Sequence, residues 1–263
     1  MHRAAAPVGV CVMLPPMKSA AYLLIDVSNS FTKLAFASRA RLAKPTKVPT
    51  RDLTALYLRR VLKKQNAEAV VVSSVVPAKN KVIAAAVRPR RVLWLTAKIN
   101  LGVGVDYPSP ETIGADRLAN AAAVAKLYGC PAVVVDFGTA VTFDIVSEKK
   151  CYIGGVIAPG LESMTSFLYH RTALLPKLSL KEPRQAVGKS TRAAMLAGAV
   201  YGYRGLVREI LGRIKAERFA RKRVRIVATG GYAQLIASHL REIGWVHPNL
   251  TLEGLRIVAN LNR

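Results

Sequence analysis

The chain has 263 residues, 51% of them hydrophobic, and 40 Lys and Arg against 15 Asp and Glu give it a formal net charge of +25. That length suits one large domain or two small ones, each with its own core, and its longest apolar runs, such as the Ala-Val-Val-Val of residues 69–72, are strand-sized, far short of the roughly 18 residues of a membrane span. The three cysteines, Cys11, Cys130 and Cys151, are scattered without CxxC or Cys/His ligand spacing, which excludes a disulfide framework and a structural zinc and fits a reducing cytoplasm.

A charge of this size is felt by any polyanion. The basic residues are mostly spread along the chain, and the densest run, residues 215–225, reads as a solvated helix end leading into a strand. There is no RNP-like aromatic motif and no zinc finger. Nucleic acid is therefore not the expected partner, whereas attraction of small anionic substrates is compatible with the charge.

Residues 1–19 read as a disordered extension. Their short apolar run, 8–14, ends in Pro15-Pro16 and makes a poor secretory signal, and Met17 is a second plausible start. Residues 21–25 (Ala-Tyr-Leu-Leu-Ile) form the first predicted strand. It runs into Asp26, Val27, Ser28, Asn29, Ser30, Phe31, Thr32 and Lys33, after which a second strand begins. Residues 54–66 carry helical spacing with basic residues on the outer face. Residues 69–76 read as a buried strand, 79–87 as a helix and 91–95 as another strand, an alternation that indicates an α/β fold.

Residues 101–117 are rich in Pro and Gly and read as a loop containing Tyr107 and ending in Gly114, Ala115, Asp116 and Arg117. Gly102-x-Gly104 is no dinucleotide fingerprint, because Tyr107 stands where the third Gly belongs. An Ala-rich helix follows over 118–127. Two readings of Asp116 stand at this point. It caps that helix, or it is an acid/base group beside a cation that holds an anion.

Residues 133–146 repeat the pattern of the first hairpin. A buried Val-Val-Val strand ends in Asp136, Gly138 and Thr139 follow in the turn, and a second strand returns at once. The strand–Asp–turn–strand unit at Asp26 thus recurs 110 residues later, an internal duplication of physical pattern. A carboxylate, a bare backbone and a hydroxyl at a hairpin tip suit a phosphate chain and its cation. An ordinary polar turn is the competing reading of either hairpin alone. Two such hairpins, each opening an α/β segment, imply two similar domains (20–118 and 119–263) facing each other across a cleft.

Farther on, residues 151–160 form a strand ending in a Gly/Pro turn, and 161–169 look helical. Gly188-Lys189-Ser190-Thr191 mimics the tail of a Walker A loop but lacks its first glycine, and reads as a turn whose hydroxyls start the next helix. That helix, 192–203, is lined with Ala and Gly. Residues 224–228 form a strand delivering Thr229-Gly230-Gly231 to a helix over 233–240. No HExxH or GxSxG is present, and His2, His170, His239 and His247 share no motif.

Six segments in order, residues 26–33, 114–117, 136–142, 154–160, 188–191 and 229–231, resemble the type III pantothenate kinase family, and the resemblance spans about residues 20–258. It implies the fold of acetate and sugar kinases and actin-like ATPases: two ribonuclease-H-like domains with an interdomain active site. It implies phosphorylation of (R)-pantothenate by ATP, the first step of coenzyme A biosynthesis, in a cytoplasmic homodimer. By the same resemblance, residues 26–33 and Thr139 contact ATP. Tyr107, Gly114, Ala115, Asp116, Arg117 and Thr191 bind pantothenate, with Asp116 as general base. Asp136 holds a monovalent cation, K⁺ or NH₄⁺, and a divalent cation, Mg²⁺, accompanies the nucleotide. One departure stands out. Ser28 occupies a place where the family carries Gly, which implies backbone strain if that position needs a positive φ. The charge and the retained fold also leave room for a non-catalytic, regulatory member of the same fold, or for a basic nucleic-acid-binding protein.

Overall fold

The computed structural model describes residues 20–220 and 222–263. The expected N-terminal extension, 1–19, lies outside the described residues. Alternation along the two central strands decides the architecture. In β1 (Tyr22–Val27), Tyr22 and Leu24 belong to one core, and Leu23, Ile25 and Val27 to another. In β7 (Ala132–Phe137), Ala132 and Val134 join the same inner core, whereas Val133, Val135 and Phe137 face outward. Strands buried on both faces read as unbroken apolar runs, as these do.

The first sheet has the order β3-β2-β1-β4-β5, adding β2 (Phe31–Ala37), β3 (Thr46–Pro49), β4 (Ala69–Ser74) and β5 (Arg91–Trp94) to β1. The second has the order β11-β10-β7-β8-β9-β6, with β6 (Gly104–Val105), β8 (Ala140–Val146), β9 (Cys151–Pro159), β10 (Arg225–Gly230) and β11 (Trp245–Val246) around β7. In each, a central strand pairs antiparallel with its hairpin partner on one side and parallel with a later strand on the other.

Helices α1 (Ala55–Lys64) and α2 (Pro77–Val87) cover the outer face of the first sheet. The outer face of the second is covered by α4 (Leu161–Arg171), α5 (Thr191–Ile214) and α6 (Ala233–Ala237). Leu196, Val200, Tyr203, Val207, Leu211 and Ile214 make the buried stripe of α5, at the three-to-four spacing of an amphipathic helix. Between the sheets lie α3 (Ala115–Leu127) and α7 (Leu250–Leu261), packed on each other so closely that a Cβ on Gly254 would strike the Ala119 carbonyl. The result is five layers, α/β/α/β/α, with a shared inner helical layer.

Three details differ from the sequence expectation. Helix α3 starts at Ala115, three residues early, because Gly114 ends the loop and no Pro follows it. The expected helices 192–203 and 206–214 join without a break into one helix, 191–214, and α6 stops at Ala237 instead of Leu240. Ser190 is the N-cap of α5, its Oγ accepting from the Ala193 N–H at 3.2 Å, the capping role its hydroxyl suggested.

Candidate active site

Strand parity aims the first two carboxylates. Asp26 follows Tyr22 and Leu24 inward, and Asp136 follows Ala132 and Val134 inward, so both reach the gap between the sheets. Cross-strand neighbours share a face, which sets two parallel rows. Across the first sheet run Ser73, Asp26, Lys33 and Lys47. Across the second run Thr229, Asp136, Thr142 and Ile157. Asp116 enters from the first turn of α3. These carboxylates border one cavity of about 620 Å³ that is also lined by Ser28, Asn29, Ser30, Phe31, Lys33, Lys47, Gly138, Thr139, Glu162 and Gly230.

The two hairpin tips touch. Ser30 Oγ and Thr139 Oγ1 share a hydrogen bond of 3.0 Å. Each tip is braced from behind. Thr50 Oγ1 donates to the Ser28 carbonyl at 2.6 Å and Thr50 N–H to the Ser30 carbonyl at 3.0 Å. Ser163 Oγ donates to the Thr139 carbonyl at 2.7 Å, and the bare Gly160 packs on the Gly138 and Thr139 carbonyls. The strain anticipated at Ser28 is absent. Among described residues other than glycine, positive φ occurs only at Lys150 and Ala220, so Ser28 turns the chain in an ordinary conformation and its Cβ is tolerated.

Asp136 is fixed by α3 and α7 together. Asn120 Nδ2 donates to its Oδ2 at 3.2 Å, and Asn120 Oδ1 accepts from Thr251 Oγ1 at 2.9 Å. A Cβ on Gly230, which has φ +93°, would lie 2.6 Å from Asp136 Oδ1. Only glycine suits that spot.

Crowding of acids raises their pKa values. Asp116 is pushed up to about 7, first by burial and then by Asp26, Asp136 and Asp144. Asp26 rises to about 6, mainly by burial, with Lys33 working against the rise and Asp136 adding to it. Burial raises Asp136 as well. A carboxyl poised near neutrality is suited to accept a proton at physiological pH. Asp116 Oδ1 also accepts the Arg117 N–H at 2.9 Å, so it covers the start of α3 while it faces the cavity.

Arg117 leads away from the acids. Its Nε donates to Asp144 Oδ1 at 2.6 Å, and Asp144 is fully buried. Burial works against the guanidinium's charge, but Asp144 more than offsets it and its pKa is raised. The Arg117 guanidinium lies 5.6 Å from the Tyr152 ring, which meets Tyr107 edge-on at 6.2 Å. Arg117 Nη2 is buried without a partner.

The structure brings Asp26, Ser28, Asn29, Ser30, Phe31, Lys33, Asp116, Asp136 and Thr139 to one cavity. Val27 and Thr32 instead point to the outer face, Val27 into the core and Thr32 onto Thr50 at 3.0 Å. Gly114, Ala115 and Arg117 sit at the foot of α3 without lining the cavity, Tyr107 lies against Tyr152 and Gly154 of β9 and does not line it either, and Thr191 lies exposed at the start of α5. Lys47, Asn120 and Asp144 were not singled out by sequence reasoning. Only Asp144 carried a signal, as a lone acid in an otherwise apolar strand that needs a partner.

The type III pantothenate kinase profile matches residues 22–213. The chain belongs to that family. A type III pantothenate kinase of Akkermansia muciniphila is 51% identical over 92% of this chain and 99% of its own length. Among solved structures, a Campylobacter jejuni protein described as a Baf family transcriptional activator superposes with TM-score 0.60 at 18% identity, covering 90% of this chain and 97% of its own. A Sinorhizobium meliloti protein described as a 2-dehydro-3-deoxygalactonokinase superposes with TM-score 0.58 at 13% identity, covering 91% and 98%. These two likenesses carry the fold alone and give no ground for a regulatory role.

The family's cations can be tested against the donors present. Asp26 Oδ1 is buried without a hydrogen-bond partner, and Asp136 Oδ1 is left free by Asn120. Both are hard oxygen donors of the kind Mg²⁺ and K⁺ prefer. Among the described residues no three His, Cys, Asp or Glu form a metal cluster.

Proposed function

We infer that this chain transfers the terminal phosphoryl group of ATP to the hydroxyl of pantothenate, giving 4′-phosphopantothenate, the first step of coenzyme A biosynthesis. The observation that carries this reading is the convergence of Asp26, Asp136 and Asp116 on one cavity, from two duplicated hairpins and a helix N-terminus, in a member of this family.

Phosphoryl transfer needs alignment and charge neutralisation more than covalent help. In the proposed arrangement the two hairpin tips hold the phosphates through Ser30, Thr139 and the backbone around Gly138, and Lys33 neutralises charge. Asp116 accepts the proton of the attacking hydroxyl. Arg117 offers its free Nη2 to the pantothenate carboxylate, and Tyr107 closes that side; Thr191 is assigned to the same substrate by family resemblance. Asp136 would hold a monovalent cation, K⁺ or NH₄⁺, and Asp26 would offer its free oxygen to the Mg²⁺ that accompanies ATP. Bound cations supply charge neutralisation to the phosphates.

Residues 20–118 and 119–263 are proposed as the two ribonuclease-H-like units, meeting along α3. A homodimer is proposed as well. Gly198, Gly202 and Gly205 of α5 leave open space around a would-be Cβ, and the exposed Tyr201 lies among them, with Phe167 exposed on the neighbouring α4. Light scattering on the purified protein tests the dimer, and Gly202→Glu should dissociate it. No described helix is long and apolar enough to cross a membrane, and a cytoplasmic enzyme is proposed.

The deciding experiment is ATP-dependent phosphorylation of pantothenate by purified protein, with K⁺ compared against Na⁺. Turnover that rises with K⁺ is expected. A folded protein without turnover in either salt overturns the reading.

A further inference from the structure

Two lysines from neighbouring strands line the same wall of the cavity. Lys33 and Lys47 are directly opposite each other on β2 and β3. Opposed like charges destabilise a sheet. Both side chains point to the inner face, since Val48 on β3 faces the outer core and its neighbour Lys47 must face the other way. Both line the cavity. Among the described residues no ion pair includes either lysine. Lys47 is held in place: its Nζ lies 3.7 Å over the Phe31 ring, at the first hairpin tip.

The cavity's charge shows what this pair is for. Asp26, Asp116, Asp136 and Glu162 face only Lys33 and Lys47. A nucleotide triphosphate entering there adds further negative charge, and only fixed cations or metal can offset it. The second sheet offers none, because Ile157 stands in its row where Lys47 stands in the first. The cationic wall is one-sided and lies beside the hairpin tip that carries Ser30.

We propose that Lys47 is a second phosphate-binding residue, gripping the β- and γ-phosphates of ATP together with Lys33 while Phe31 positions its ammonium. The proposal rests on the kinase reading for its site, and on the opposed lysines for its content. In the empty protein the two ammoniums face the acids of the cavity, Glu162 near Lys47 and Asp26 and Asp136 near Lys33, and an incoming phosphate chain would give both a further partner. Lys47 is thus a nucleotide-contacting residue that leaves the acceptor alcohol to Asp116 and Arg117.

Calorimetric titration of the full-length protein with ATP, ADP and AMP, in Mg²⁺ and K⁺, tests this on Lys47→Met and Lys47→Arg. Lys47→Met should bind ATP at least about tenfold more weakly, as expected for loss of a charge-assisted hydrogen bond. Its AMP affinity should stay within about twofold, and Lys47→Arg should recover most of the ATP affinity. ATP affinity within twofold of wild type in Lys47→Met overturns the proposal. So does equal loss of AMP and ATP, which would make Lys47 a support of the fold. Wild-type protein that binds ATP yet leaves pantothenate unphosphorylated overturns the kinase reading and leaves Lys47's role standing; wild-type protein that binds no ATP overturns both.

Discussion

The hydroxyls of Ser30 and Thr139 lie 3.0 Å apart, 109 residues distant in sequence. Their hydrogen bond ties together the tips of the two duplicated hairpins, and each belongs to a loop braced by its own half of the chain. An exposed hydroxyl pair is worth about 1 kcal/mol or less to stability. Its value lies in registering two phosphate-facing loops against each other. Thr139→Val should therefore raise the KM for ATP about fivefold or more and shift the melting temperature by no more than about 2 °C. Steady-state kinetics with ATP varied, beside a thermal melt, checks this; a large melt shift with unchanged KM would make the contact structural.

Asp116 sits at a pKa of about 7, and it must be ionised to take a proton from the substrate. The kcat/KM for pantothenate should rise with pH, reach half its plateau near pH 7 and stay flat above. Asp116→Asn should lower kcat about 10²-fold or more and erase that limb. Stability moves the opposite way. Between about pH 4 and pH 7 the unfolded chain has released a proton that folded Asp116 retains, so stability falls as pH rises through this window. The Asn variant escapes this loss. It should melt higher than wild type at pH 8, with the gap closing toward pH 4. Wild-type turnover in Asp116→Asn would leave the residue as a cap of α3, through the Arg117 N–H.

The hairpins were legible because buried valines followed by an acid leave few other structures. The duplication could be read from 26–33 against 136–142 without any contact information, and the cleft followed from it. What escaped lies at sheet edges and inside strands. Strands β3, β6 and β11 are four, two and two residues long, too short to show a period, so Lys47 could not be placed opposite Lys33. Asp144 lay in plain view within an apolar strand, but its partner Arg117 is 27 residues away and only the fold brings them together. Whether Ser28 brings strain depended on the sign of its φ, which sequence does not give; the loop, held by Thr50, keeps Ser28 out of the left-handed region and the condition for strain is not met.

Arg117 and Asp144 form a buried pair at 2.6 Å. Removing one partner of such a pair strands a charge, at a cost of about 3–5 kcal/mol. Arg117→Met should be destabilised by that order in urea, and Arg117→Met combined with Asp144→Asn should recover a substantial part. Arg117→Lys keeps the charge but has no Nη2 to offer. It should fold, raise the KM for pantothenate about tenfold or more, and leave the KM for ATP nearly unchanged. Equal increases in both KM values would place the effect on the cavity as a whole and remove Arg117 from pantothenate binding.

Gly230 and Gly231 are adjacent and have opposite tolerance. A Cβ on Gly230, at φ +93°, meets Asp136 Oδ1 and the Phe137 backbone at 2.6 Å, whereas one on Gly231 meets nothing within 4 Å. Gly230→Ala must shift either its own turn or the Asp136 carboxylate, and the left-handed backbone adds about 1 kcal/mol or more. It should lower the melting temperature by several degrees and weaken the activation of turnover by K⁺, because Asp136 is the proposed cation ligand. Gly231→Ala is the matched control and should do neither. Asp136→Asn should lose the K⁺ response without the backbone strain. The three variants, compared in thermal melts and in K⁺ titrations of activity, separate geometry from charge. A K⁺ response that survives in both Gly230→Ala and Asp136→Asn would move the cation away from Asp136.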